Sequence, residues 1–127
     1  MEFIVPGNAP PGGHYSPGVV HNGLVFVSGQ LPIKPGRAEH VVGTIEEQTE
    51  QTLRNVQAVL QAAGSDLDHV LQMTIYVSDG SLWGAVNATY ARIMGNHKPA
   101  RAVVPVKDLH YGYQIEIQAI AAVATST

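Results

Sequence analysis

Gln114-Ile115-Glu116-Ile117-Gln118-Ala119 is the stretch on which the fold turns. Successive side chains of a strand point to opposite sides. Ile115, Ile117 and Ala119 therefore share one face, and Gln114, Glu116 and Gln118 share the other. A strand apolar on one side and polar on the other belongs to a sheet covered on one face only. If Ile115 and Ile117 meet helices, the polar row lies on the uncovered face. That face is solvated in a monomer and could line a shared cleft in an oligomer.

Working outward, the helices needed to cover the apolar side are present. Thr44 followed three residues later by Glu47 forms a capping box. Ile45, Leu53, Val56, Leu60 and Ala63 then recur at helical spacing, and Gly64 stands where a stop belongs. A second helix has Leu82, Val86, Tyr90 and Ile93 on its inner face and Ser81 as its expected cap; Gly84 weakens it by about 1 kcal/mol relative to Ala. Between them Leu71, Met73, Ile75 and Val77 alternate with Gln72, Thr74 and Tyr76, a strand pattern. Val19-Val20 and Leu24 to Ser28 flank His21-Asn22-Gly23, a strong hairpin signal. Gly29 to Gly43 is a turn-rich excursion, and Arg101 to Val106 and Gln114 to Val123 read as the last strands. The order is hairpin, helix, strand, helix, strand, strand. Packed most simply, it is an α+β domain over residues 1–127 with both helices on one face of a mixed sheet.

Composition supports a folded globule that associates. Of 127 residues, 45% are hydrophobic and only 13% charged. A small domain has much surface for its volume, so few charges suggest that part of it is covered by a partner. The net charge is −3, and Lys34, Arg37, Arg54, Arg92, Lys98, Arg101 and Lys107 are scattered, which argues against nucleic-acid binding. With no cysteine, thiolate nucleophiles, disulfides and zinc–cysteine sites are excluded. His14, His21, His40, His69, His97 and His110 show no metal-binding spacing. Met1 to Gly13 lacks the basic-then-apolar pattern of a secretory leader, and no run approaches the about 18 apolar residues of a membrane span. The expectation is a cytoplasmic protein without a membrane partner.

Arg101 stands out because it opens an apolar strand, Ala102-Val103-Val104. A guanidinium there needs a partner, and its planar fork suits a carboxylate. The residues alone leave other readings open: an ion pair with Glu116 or Asp108, or plain exposure. Glu116, between two isoleucines, reads either as an outer-face residue or as a carboxylate that positions water. Tyr15 and Asn87 could bond a ligand, or pack and face solvent respectively. Ser28-Gly29-Gln30 forms no nucleophile elbow.

Taken in order, Gly13-His14-Tyr15-Ser16, Leu24 to Gln30, Glu47-Gln48, Asn55-Val56, Leu60 to Ser65, Val86 to Tyr90, Pro99-Ala100-Arg101 and Ile115 to Ala121 resemble the Rid family (RidA/YjgF), the reactive intermediate deaminases. The resemblance covers nearly the whole chain. It implies a chorismate-mutase-like subunit, a homotrimer with clefts between subunits, and hydrolysis of 2-imino acids or their enamine tautomers to 2-oxo acids and ammonia without metal or organic cofactor. Carried over by position, Arg101 would bind the substrate carboxylate, Glu116 would stand near the attacking water, and Tyr15 would close the cleft from the neighbouring subunit. Ser28, Gly29 and Asn87 would line or support it. The chain departs from the family pattern at Ala102 and Val103, where many members have Ser-Cys, so Val103 offers only backbone groups. His14 replaces the usual proline, and Leu109-His110-Tyr111-Gly112-Tyr113 differs from the commoner Leu-Pro loop. His110 and Tyr111 there could reshape the cleft and its specificity, or merely pack.

Overall fold

The computed structural model describes residues 1–8, 11–37 and 39–124. It is the expected α+β arrangement: a mixed six-stranded sheet with two helices, the chorismate-mutase-like fold. The strands are β1 (Glu2–Ile4), β2 (Gly18–His21), β3 (Leu24–Gln30), β4 (Val70–Val77), β5 (Ala100–Pro105) and β6 (Ile115–Ala122); the helices are α1 (Ile45–Ala62) and α2 (Trp83–Met94). Spatial order is β1-β2-β3-β6-β4-β5, antiparallel except for β4 with β5, which are parallel.

Local chemistry explains most element ends. Asn22 and Gly23 both adopt left-handed φ, 53° and 78°, as the tight primed turn between β2 and β3 demands. The capping box at α1 is complete: Glu47 N–H donates to Thr44 Oγ1 and Thr44 N–H to Glu47 Oε1, each at 3.1 Å. Gln48, only 2% exposed, donates through Nε2 to Gly43 O and Gln114 Oε1 and accepts from Gln114 N–H, which ties the first turn of α1 to the chain entering β6.

Two readings of these elements are corrected, and one strand is added. Ser81 does not cap α2. The Asp79 carboxylate accepts from Ser81 N–H and caps a short 3₁₀ turn, Gly80–Leu82, which runs straight into α2; Leu82 is already helical there and supplies no side-chain cap. Leu71 is half exposed rather than inward, because the β4–β6 register slips between Val70 and Gln72 and throws it out of the alternation. β1 adds a strand that three residues are too short to announce by periodicity.

The helices cover one face. Val25, Met73, Ile75, Val77, Ile115 and Ile117 are fully buried there with Leu53, Val56 and Leu60 of α1 and Val86 and Tyr90 of α2. Glu116 and Gln118 of β6 lie on the other face as expected, whereas Gln114, which precedes the strand, turns its amide to Gln48 at the first turn of α1. Ile120 extends the open-face row and with Phe26 and Val19 makes that end apolar.

Candidate functional site

Two groups of residues come together in separate places. The first is built on β5 and α2. Arg101 lies directly opposite the buried Met73 of β4, so its side chain leaves the sheet on the helix-covered side. Because β5 is the edge of the sheet, the guanidinium stays exposed at a corner of that face. There one Nη donates to Asn87 Oδ1 at 2.9 Å, and the guanidinium carbon stands 5.0 Å from the centre of the Tyr90 ring. Neither Glu116 nor Asp108 comes within ion-pair distance of Arg101; among the described residues the arginine ion pair is Arg92–Glu50. A cavity of about 410 Å³ opens beside Arg101, walled by Asn87, Tyr90, Met94, His97 and Lys98. Cationic groups but no carboxylate line it. Burial pushes the Tyr90 phenol above its ordinary value, with the Arg101 charge opposing. Val103 faces inward, half buried against the core, so only its main chain is available.

The second group gathers at the irregularity of β3. The β3–β6 register breaks between Val27 and Gln30, and Gly29 sits in that break with the Glu116 carboxylate packed against the place a Cβ would occupy. Ser28 is held by its hydroxyl, which donates to Ser16 O at 2.6 Å, and by its N–H, which donates to Pro17 O at 2.9 Å. Tyr15, 53% exposed, and Gly29 line a largely apolar cavity of about 520 Å³ with Leu31, Ile33 and Val59. Asn55 Nδ2 fixes the wall by donating to Leu31 O and Ile33 O at 2.9 and 2.8 Å.

The two groups cannot meet in one chain. Glu116 is opposite Tyr76 and Arg101 opposite Met73 on the intervening strand, so they are offset by two strand spacings of about 4.8 Å and three residues of about 3.3 Å each. They also leave the sheet on opposite faces. His110 belongs to neither: it is exposed in the 3₁₀ turn His110–Gly112, its ring 5.6 Å from that of Tyr111, which stacks on His40 at 3.8 Å. Sequence reasoning placed Tyr90 on the inner face of α2 but missed its contact with Arg101. The available signal was its spacing from Asn87, three residues along one helix face.

The sequence family described as endoribonuclease L-PSP matches residues 6–123. The chain belongs to the YjgF/RidA family. A RutC family protein of Pyrococcus horikoshii is 42% identical over 121 residues, which are 94% of this chain and 96% of the relative. The crystal structure of the YjgF gene product of Escherichia coli superposes with a TM-score of 0.89 at 36% identity, covering 96% of this chain and 98% of that one. E. coli TdcF with bound serine gives 0.90 at 30% identity, covering 98% and 100%. Among the described residues of this YjgF/RidA chain, no three His, Asp or Glu side chains cluster to hold a metal, and no helix is long and apolar enough to cross a membrane.

Proposed function

We propose that the protein hydrolyses 2-imino acids, or their enamine tautomers, to 2-oxo acids and ammonia in a cleft formed where the Arg101 group of one copy meets the Glu116 group of another. The observation that carries the reading is the division of the site. The Arg101 guanidinium stands at a corner of the covered face without a carboxylate, and the Glu116 carboxylate stands on the open face beside Gly29. Each lacks what the other holds. Self-association as a trimer would supply both, and the apolar end of the open face, with Phe26 at 43% exposed, gives it a surface to bury. The serine bound to TdcF carries the α-carboxylate that Arg101 suits.

The chemistry asks little of the protein. Arg101 holds the substrate carboxylate through a bidentate ion pair and so fixes the adjacent imine carbon. As water adds to the carbon of the protonated imine, Glu116 takes a proton from the water and the C=N π electrons move to nitrogen, giving a neutral carbinolamine. Glu116 returns that proton to the nitrogen, then takes the hydroxyl proton as the C=O bond forms and the C–N bond breaks, and passes it to the departing ammonia, leaving the 2-oxo acid. An iminium is already electrophilic, so no covalent nucleophile is required. The family description names an endoribonuclease. A net charge of −3 with scattered Lys and Arg gives RNA phosphates little to bind.

The test generates 2-imino acids in situ with an amino-acid oxidase or dehydratase and times 2-oxo acid release. Wild type should accelerate release. Arg101→Ala should lose at least about tenfold in kcat/KM, the equivalent of a charge-assisted hydrogen bond. Carboxylate binding without turnover of any imine would instead make this a ligand-binding member of the family, and salt-dependent RNA cleavage would overturn the reading.

A further inference from the structure

We infer that Tyr90 is a positioning residue for carboxylate capture, its ring forming the floor on which the Arg101 guanidinium lies while Asn87 fixes one edge of the fork. The inference rests on Arg101 being the carboxylate anchor. An arginine on an exposed edge strand would otherwise keep its rotamer freedom and surrender it at each binding event. Here two residues of α2, Asn87 and Tyr90, sit three apart on one helix face and meet Arg101 from two directions. The ring lies below, 5.0 Å from the guanidinium carbon, within the range of a cation–π contact. The amide oxygen takes one Nη at 2.9 Å, and among the described residues no other side chain takes a guanidinium donor, which leaves donors for two carboxylate oxygens. Tyr90 is itself buried, 6% exposed and packed in the core beside Val86 and Met94, so it ties a side chain at the surface to the packed interior. The ring and not the hydroxyl makes this contact, and no polar atom among the described residues partners the hydroxyl.

The experiment compares wild type with Tyr90→Phe, Tyr90→Leu and Tyr90→Met. It measures pyruvate affinity by calorimetry, the order of the Arg101 Nε–H by ¹⁵N relaxation, and KM and kcat where an imine is turned over. Tyr90→Phe should match wild type in all three. Tyr90→Leu should weaken pyruvate binding and raise KM by roughly two- to fivefold, the scale of an exposed cation–π contact, with kcat little changed and the Arg101 Nε–H more mobile. Tyr90→Met fills the space with a flexible apolar chain and keeps the test open if the leucine variant does not fold; it should behave as Tyr90→Leu. Wild-type affinity and an equally ordered Arg101 in the leucine or methionine variant would overturn the inference, as would a loss in Tyr90→Phe equal to theirs. Absence of pyruvate binding by wild type would overturn it together with the role of Arg101. Pyruvate binding that depends on Tyr90, without turnover of any imine, would leave this inference standing and remove the deaminase.

Discussion

On the helix-covered face of the sheet, Met73, Ile75, Val77, Ile115 and Ile117 have no exposed surface, whereas on the same strands the opposite face shows Thr74, Tyr76, Glu116, Gln118 and Ile120 in varying degrees of exposure. The first face is a finished core. The second is unfinished, polar toward Glu116 and apolar toward Phe26 and Ile120. The two chemical groups of interest divide along the same line, with Arg101 at the corner of the covered face and Glu116 on the open one. The contrast teaches that in this fold one side of the sheet supplies stability, while the other is left for the role that the proposed meeting of copies would give it.

Mixing complementary variants would test that division most severely. Arg101→Ala and Glu116→Gln should each be nearly inactive alone. When the two are unfolded and refolded together, random pairing makes about one interface in four whole, and activity should return to roughly a quarter of wild type. No recovery would mean that Arg101 and Glu116 do not complete a shared site between copies, and the contrast between the faces would lose its functional meaning. The next largest effect contrasts the faces directly. Ile117→Ala removes buried methyl groups from the core and should cost about 2–5 kcal/mol by denaturant titration. Ile120→Asp on the open face should leave the protomer folded but abolish self-association in sedimentation, and turnover with it. An Ile120→Asp protein that unfolds would show that the open face is as much core as the covered one.

How much of this could be read in the sequence depended on range. Features settled within a few residues were legible: the capping box at Thr44 and Glu47, the Asn22-Gly23 turn, and the alternation of β6. Features set by distant pairing were not. The slip that exposes Leu71 arises from β4 meeting β6, and β1 exists because β2 is there to pair with it. Asp79 rather than Ser81 makes a cap because the chain enters α2 through a 3₁₀ turn that no spacing foretold. Arg101 and Glu116 stood out by their places in apolar strands, and the family resemblance chose among their readings. That Arg101 and Glu116 leave opposite faces follows from the register of β5 and β6 on β4, a property of the assembled sheet.

Gly29 offers the finest cut between the faces, because it belongs to neither core. It lies in the break of β3 with no need for a left-handed backbone, and its missing side chain leaves room for the Glu116 carboxylate. A Cβ placed there would meet the far end of a flexible side chain rather than backbone, so Gly29→Ala should shift Glu116 at little cost in stability, within about 1 kcal/mol. If Glu116 moves protons to and from water, displacing it by even an ångström should lower kcat by several-fold while KM, set by Arg101 on the other copy, stays put. The reverse pattern, a raised KM with unchanged kcat, would assign Glu116 to binding. A melting point lowered by many degrees would make the Gly29–Glu116 contact part of the framework of the open face rather than part of a site.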